Sequence, residues 1–299
     1  MRNKKSLLLF AIIFLWMFNA TKIIALFANK DIEIRKLDEL PSEVNSSIYY
    51  WIDETTLSAD LLNTISIYGW LVSQPDDAMN EKEVAIIFKS DQEIYEIPAE
   101  IFPENNVLAM LKGKGLNISN ENIRFGISFS SLAMKQGVYQ MFLSSRGNEG
   151  ELGLVETNIF FERNNMGLEK HYAESETITA PHSMPEEKAL GYGWVDSLKV
   201  QNNILYLTGW GFLDGMDSTQ QQVVIHIKNV NGKDEYYRAY PYSRVDLVGY
   251  ESNLRSQNAG IDAVIDIGTS EISPDDITVF VINGEKWFSF KPTIEIQQL

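Results

Sequence analysis

The chain contains no cysteine. It therefore forms no disulfide, has no thiolate nucleophile, and holds no Cys-ligated zinc ion or iron–sulfur cluster. It also lacks the N-terminal cysteine to which a lipid anchor is attached in lipoproteins. This one absence excludes thiol chemistry, disulfide scaffolds and cysteine-based metal sites.

Basic residues are scarce relative to acidic ones. The 25 Lys and Arg face 41 Asp and Glu, which gives a formal net charge of -16. Four of the cations, Arg2, Lys4, Lys5 and Lys22, lie in or beside the apolar N-terminus, so residues 29–299 carry 21 cations and a net charge of -20. Nucleic acids and anionic membrane surfaces bind cationic faces. We therefore expect no nucleic-acid partner.

Catalytic and metal-binding motifs are also missing. The chain has no Gly-x-Ser-x-Gly, no His-Glu-x-x-His and no phosphate-binding Gly-rich loop. Its three histidines, His171, His182 and His226, lack the spacing of zinc ligands. Acidic loops at 76–77 and 214–217 offer oxygen atoms that calcium prefers, but acidic surface turns have the same composition. We predict no catalytic residue, no cofactor and no metal site.

One long hydrophobic run occupies the N-terminus. Residues 7–28 would span about 33 Å as a helix, enough for the ~30 Å hydrocarbon core of a bilayer. Signal peptidase prefers a small residue at position -3 of its cleavage site, and each candidate site has a bulky residue there. The pattern therefore favours an uncleaved signal anchor over 1–28 rather than a cleaved signal peptide. The cations before it place the N-terminus in the cytoplasm and the rest of the chain outside, as a single-pass membrane protein; cleavage would make it secreted.

The remainder of the chain contains an internal repeat. Residues 50–53 (Tyr-Trp-Ile-Asp) recur at 193–196 (Gly-Trp-Val-Asp), and 65–70 recurs at 205–210, each ending in Gly-Trp. Further matches join 84–89 to 223–228 and 125–129 to 261–265. The offset falls from 143 to 136 residues along the chain, as small insertions and deletions would produce. We interpret this as a tandem duplication.

The local patterns are typical of strands. Apolar residues alternate with polar ones at 204–208, 223–227 and 277–281, and Asn-Gly pairs at 231–232 and 283–284 supply the positive φ of tight hairpins. Short helices fit only at 58–64 and 243–254. The predicted fold is all-β, with two tandem antiparallel, immunoglobulin-like β-sandwich modules behind the N-terminal transmembrane helix. The predicted segments are a transmembrane segment (1–28), a stalk (29–47), module 1 (48–162), a polar linker (163–189) and module 2 (190–299).

The arrangement resembles a known module. The Gly-Trp at a strand end, the later alternating strand, and the run Ser243-Arg244-Val245-Asp246-Leu247 resemble a recurring β-sandwich module of bacterial surface-polysaccharide and cell-envelope proteins. The resemblance implies a β-sandwich fold and an envelope setting, and it carries no catalytic residues. In the first copy, residues 101–107 occupy the place of this run, so we expect binding in the second copy.

Aromatic residues beside polar ones form the candidate ligand site, because sugar rings stack on aromatic faces while polar groups bond their hydroxyls. The paired tryptophans recur in both copies, so a core role competes with ligand contact. A cluster of tyrosines, together with an Arg and an Asp, occurs only in the second copy, which favours a role in binding. An Arg–Asp pair also braces loops, so a structural role is the alternative. The predicted ligand-binding residues are Tyr240, Tyr242, Arg244, Asp246, Trp194 and Trp210.

These observations predict a membrane-anchored, extracellular, non-catalytic binding protein of the bacterial cell envelope that recognises a surface glycan through module 2. The alternative is a scaffolding or accessory subunit of a polysaccharide synthesis or export complex. A third is a glycan-active enzyme whose carboxylates no motif selects. The expected partners are an envelope polysaccharide or a membrane-bound polysaccharide-synthesis protein.

Overall fold

The computed structural model describes most of the chain after residue 31. The described residues are 32–41, 47–58, 63–74, 83–146, 152–164, 167–171, 173–179, 187–230, 233–250, 253 and 256–298. The predicted transmembrane segment, residues 1–28, lies outside them, as do the acidic pair at 76–77, His182 and the Asn-Gly pair at 231–232. Within the described part, no helix has the length and apolar character needed to cross a membrane.

The fold is mostly β, and its principal strands pair antiparallel. The strands of the first half are β1 (Arg35–Leu37), β2 (Ser47–Leu57), β3 (Thr64–Gln74), β4 (Glu83–Lys89), β5 (Ile94–Pro98), β6 (Glu100–Phe102), β7 (Arg124–Ser130), β8 (Gly137–Arg146), β9 (Leu152–Asn164) and β10 (Gly167–His171). Those of the second half are β11 (Thr177–Ile178), β12 (Glu187–Lys188), β13 (Gly191–Gln201), β14 (Ile204–Leu213), β15 (Gln222–Val230), β16 (Lys233–Tyr242), β17 (Gly260–Asp266), β18 (Ile277–Asn283), β19 (Lys286–Phe290) and β20 (Gln297–Gln298). We call β1–β10 the first module and β11–β20 the second module.

The two modules share one strand order. In the first module, β2-β3-β7-β6 form one sheet, and β5-β4-β8-β9 lie in the other, flanked by β1 and β10. In the second, β13-β14-β17-β16 and β16-β15-β18-β19 follow the same order. Strand β16 belongs to both sheets because residues 233–239 pair with β15 and residues 240–242 with β17. In the first module this switching strand is broken at Ala99 into β5 and β6.

Each module has its own hydrophobic core between its two sheets. Period-two alternation sends Ile65 and Ile67 inward in the first module and Leu205 and Leu207 inward in the second, and all four are fully buried. The first core cluster contains buried residues from 48 to 168 only. The second contains buried residues from 195 to 288.

The repeated Trp segments form the same hairpin in both modules. Trp51 lies opposite Trp70, and Trp194 lies opposite Trp210. Each pair is followed by a register shift at the same place, between Ile52 and Glu54 in one hairpin and between Val195 and Ser197 in the other. This agreement supports the interpretation of a tandem duplication.

The glycine of each Gly-Trp dipeptide is required by a close backbone approach at this bulge. A Cβ on Gly69 would lie 2.2 Å from the carbonyl oxygen of Trp51. A Cβ on Gly209 would lie 2.4 Å from the carbonyl oxygen of Trp194. No other residue fits at either position without moving the partner strand.

The predicted stalk and polar linker are not free tethers over their described lengths. Within the stalk, β1 pairs with β5, and Ile32 and Ile34 pack against the first core. Within the linker, β10 extends the sheet of β9, β11 pairs with β16, and β12 pairs with β19. These strands were not predicted because their side chains are polar and do not alternate with apolar ones. A strand at the edge of a sheet needs only its backbone N–H and C=O groups to pair with its neighbour.

One α-helix in the described chain, α1 (Asn105–Gly113), was not predicted. The Glu104 carboxylate accepts a hydrogen bond from the Asn106 backbone N–H at its start, and Leu108 and Leu111 are buried on one face. Residues 59–62 of the first predicted helical window lie outside the described residues, and the described part of the second, 243–250 and 253, contains a three-residue 3-10 helix, Val245–Leu247. The connection from β6 to β7 in the first module therefore differs from the equivalent connection, from β16 to β17, in the second module.

Candidate functional site

The candidate site is built on the outer face of the β13–β14 hairpin. Alternation places Tyr192 and Trp194 of β13 on the face opposite to Val195, whose side chain enters the core. Their cross-strand partners, Phe212 and Trp210, lie on the same outer face. Four aromatic side chains thus share one surface of the sheet.

Part of this aromatic surface is open to solvent. Trp194 is 46% exposed and Tyr250 is 42% exposed, whereas Phe212 beneath them is fully buried. The Tyr250 ring meets Trp210 edge-on at 5.4 Å and Tyr192 edge-on at 5.8 Å between ring centroids. Trp210 is half-buried. Edge-to-face contacts of this kind fix the rings relative to one another.

Tyr242 extends the surface across the sheet. Trp210 lies opposite Gly260 on β17, and Gly260 lies opposite Tyr242 on β16. The Tyr242 ring covers Gly260 so closely that a Cβ there would lie 2.7 Å from ring carbons, and its hydroxyl donates to the Gly209 carbonyl at 3.2 Å. Burial raises the pKa of Tyr242, so this hydroxyl stays protonated at neutral pH.

Arg244 forms the polar rim of the surface. Its Nε and Nη2 donate to the two oxygens of Asp246 at 2.9 and 2.8 Å, and its Nη1 donates to Asp196 at 2.6 Å. The hydrogen-bonded Asp246 carboxylate raises the pKa of Arg244, and Arg244 lowers the pKa of Asp246. One cation and two anions leave the trio with an excess negative charge. These bonds also brace the loop after β16 against β13, which is the structural role considered as the alternative.

The structure brings five of the six predicted site residues together. Trp194, Trp210 and Tyr242 lie on one row that crosses four neighbouring strands, with Gly260 between Trp210 and Tyr242, and Arg244 and Asp246 lie at its rim. Tyr240 does not lie on this surface. It is buried at the junction with the first module, where its ring meets Phe160 edge-on at 4.9 Å, so we leave it out of the site.

Segment 243–259 connects the two modules, and its described residues are 243–250, 253 and 256–259. The fully buried Gln257 donates from Nε2 to the carbonyl of Ile48 at 3.0 Å, and the Ser243 hydroxyl donates to the carbonyl of Tyr50. Val248 packs into the apolar cluster around α1. We call this stretch the connecting segment.

Other junction contacts are polar and partly buried. Arg238 donates from Nη2 to both carboxylate oxygens of Glu156 at 2.6 and 2.7 Å, and lies over the Tyr240 ring. Asn158 donates to Asp262 at 3.0 Å. Burial raises the pKa of Asp262. The two modules are therefore held by specific hydrogen bonds as well as by apolar contact.

A related group of residues on the first module was not predicted from the sequence. Trp51 is 46% exposed, as Trp194 is, and Asp53 lies at the same bulge position as Asp196. The cation there is Arg124, on strand β7, which pairs with Glu104 at 3.3 Å. The repeat itself pointed to Trp51 and Asp53, but nothing in the spacing pointed to Arg124.

The described residues contain no group of three His, Asp or Glu placed to hold a metal ion. In the acidic loop at 214–217, the Asp217 carboxylate accepts from the Thr219 backbone N–H and hydroxyl at the start of a 3-10 turn. His226 stacks on Tyr236 with ring centroids 4.5 Å apart. These groups have local structural partners.

No family model matches the chain, and no curated protein matches it. Among solved structures, a pair of tandem immunoglobulin domains of titin is 11% identical, over 86% of this chain and 100% of that one, with a TM-score of 0.18. The C-terminal domain of the Streptococcus pyogenes antigen I/II-family protein AspA is 9% identical over the same shares, with a TM-score of 0.17. Similarities at such TM-scores carry no argument about fold or function.

Proposed function

We propose that this chain is a non-catalytic glycan-binding protein of the bacterial cell envelope, anchored in the membrane by its N-terminal segment and carrying two immunoglobulin-like β-sandwich modules outside. The strand order supports the module type: with β2, β3, β4, β5–β6, β7, β8 and β9 numbered first to seventh, one sheet runs first-second-fifth-fourth, as in constant-type immunoglobulin domains, and the other adds the fourth strand to their third-sixth-seventh order. The function itself rests on the second module's outer surface.

The observation that carries the proposal is the exposed pair of Trp194 and Tyr250 around the half-buried Trp210. The C–H face of a sugar ring stacks on such aromatic faces, and side chains at the rim bond its hydroxyls. Asp196 and Asp246 supply acceptors at the rim, and Arg244 holds them in place. Fixed partners preorganise these groups, which lowers the cost of binding.

The charges favour a neutral ligand. Arg244 is matched by two carboxylates, and the whole chain has a formal net charge of -16. An anionic polymer, such as one with phosphates along its backbone, would be repelled. A neutral polysaccharide meets no such penalty.

The test is retention of the full chain, kept in a detergent without a sugar headgroup, on insoluble neutral polysaccharide from the cell envelope. Wild type should be retained saturably, and Trp194→Ala should lose retention while its melting temperature falls no further than that of the control, because about half of the side chain is already exposed. The control is Phe102→Ala, another exposed aromatic, on the first module. Retention that survives Trp194→Ala, or that falls only together with the melting temperature, contradicts the proposal.

The same assay separates the other functions. Release of reducing ends from the polysaccharide would indicate an enzyme. Absence of retention, together with co-purification of a membrane-bound synthesis or export protein, would favour the scaffolding role.

A further inference from the structure

A second exposed tryptophan lies where the two modules meet. Trp51 lines a pocket of about 160 Å³ together with Asn158 of the first module and Tyr242 and Ser243 of the second. The hydrogen bond from Ser243 to the Tyr50 carbonyl closes one wall of this pocket. The pocket is therefore formed by both modules and exists only when they are joined.

Tyr242 links this pocket to the surface described above. Its ring lies over Gly260, beside Trp210, and it also lines the junction pocket. Neighbouring strands are about 4.8 Å apart, so the row from Trp194 through Trp210 and Gly260 to Tyr242 extends about 14 Å. Trp51 lines the same pocket as Tyr242. Aromatic groups thus follow one another from the second module to the first.

We infer that the ligand is a linear, neutral polysaccharide bound along this path, with Trp194 and Trp51 contacting different sugar rings of one chain. This inference rests on the proposed function and specifies its ligand. A single ring covers one tryptophan face, whereas the path is several rings long. A polymer is therefore the occupant that uses both exposed tryptophans.

The junction makes the two tryptophans parts of one site. Gln257 and Ser243 bond the backbone of β2 close to Trp51, and Asn158 bonds Asp262 on the strand next to β14. Because these bonds fix one module relative to the other, a chain held on Trp194 meets Trp51 without a further ordering cost. The second contact is then intramolecular and raises affinity for long chains only.

Polar groups along the path suit an uncharged chain. Asn158 and Ser243 line the pocket, and the Asp196–Arg244–Asp246 trio lies beside Tyr242, whose hydroxyl interacts with Arg244. On the first module, the positive charge of Arg124 is matched by Glu104. A neutral glycan finds hydrogen-bond partners along the path.

The experiment titrates β-1,4-linked oligomers of glucose and of N-acetylglucosamine, as dimers and hexamers, into the full chain in a detergent without a sugar headgroup. Calorimetry gives the affinity. Wild type should bind the hexamer about tenfold or more tightly than the dimer. Trp51→Ala should reduce the hexamer affinity to that of the dimer, leave the dimer affinity unchanged and lower the melting temperature no further than Phe102→Ala does, whereas Trp51→Phe should retain most of the length effect. Phe102→Ala, an exposed aromatic on the far strand of the same sheet, should change nothing.

The outcomes separate this inference from the proposed function. If wild type binds dimer and hexamer equally, or if Trp51→Ala leaves their ratio intact, while Trp194→Ala abolishes binding of both, the polymer path is wrong and the glycan site stands. If no oligomer binds, both are wrong.

Discussion

The same outer face of the repeated hairpin is a core in the first module and a surface in the second. In the first module Tyr49 and Trp70 lie under helix α1, and Trp70 is only 4% exposed. In the second module the equivalent residues, Tyr192 and Trp210, lie beside Tyr250, and Trp210 is half-buried. A duplicated hairpin does not by itself decide whether its outer tryptophan is structural or available for contact.

The exposure of the outer tryptophan depends on the connection from β6 to β7 in the first module and from β16 to β17 in the second. In the first module, α1 places Leu108 and Leu111 over the hairpin of its own module. In the second, the connecting segment covers Phe212 with Leu247 but turns Val248 towards the first module. Because Val248 packs against the first module, it does not cover the aromatic face of the second module, and part of that face stays exposed.

The largest expected difference is between the inner tryptophans of the two hairpins. Trp70→Ala removes a buried side chain and should cost about 3–5 kcal/mol of unfolding free energy. Trp210→Ala should cost less than that, because part of its side chain already contacts solvent. Urea denaturation of the two variants measures both values. Equal costs would mean that the second face is as closed as the first.

The next effect concerns the joining of the modules. Wild type should unfold in one calorimetric transition. Gln257→Ala leaves the buried Ile48 carbonyl without its donor, which should cost about 1–3 kcal/mol and divide the transition in two.

Gln221→Ala is the matched control, because Gln221 also donates to a backbone carbonyl, that of Gly211, but within the second module. It should lower the melting temperature without dividing the transition. A single, unshifted transition in Gln257→Ala would show that the connecting segment does not couple the modules.

A smaller effect is expected at Asp262, whose equivalent in the first module is Gly126. Burial raises the folded-state pKa of Asp262 above that of the unfolded chain, so its charge opposes folding above the folded pKa. The penalty disappears as the pH falls through that pKa towards the unfolded value. Asp262→Asn keeps an acceptor for Asn158 and should be the more stable form at pH 7. Thermal melts from neutral to acidic pH should show the two forms converging, and a constant or reversed difference would contradict this.

The smallest effect is expected at Arg244, and its pH dependence has the opposite sign. Arg244 lowers the pKa of Asp246, so this pair stabilises the fold above the unfolded pKa and the contribution is lost as the pH falls through the folded pKa. Arg244→Met should cost up to about 1 kcal/mol at neutral pH, since both carboxylates are well exposed. The melting curves of wild type and variant should meet in acid.

The parts of the fold predicted from sequence are those fixed by local chemistry. Alternation predicted the strands, and in the predicted turn at 283–284 Gly284 has the positive φ, 59°, that a tight hairpin requires. Helix α1 was missed because its two buried leucines give a weak pattern. The junction was missed because Gln257 and Ile48 are far apart in sequence and no periodicity reports such a pair.

The candidate site shows the same division. Trp194 and Trp210 followed from the repeat, and Arg244 and Asp246 from being unique to the second copy. Tyr240 was equally unique, yet it serves the junction with Phe160. A residue found in only one copy of a duplicated module has two explanations: it binds a ligand, or it contacts the other copy. Only the three-dimensional arrangement separates the two.

Hydroxyl-radical footprinting of the full chain tests the central contrast most directly, with and without the β-1,4-linked hexamers. The account predicts that Trp70 is protected throughout, and that Trp194, Trp210 and Tyr250 are oxidised in the free protein and protected when the glycan is present. Protection of Trp210 equal to that of Trp70 in the free protein, or unchanged oxidation of Trp194 with the glycan bound, would contradict it.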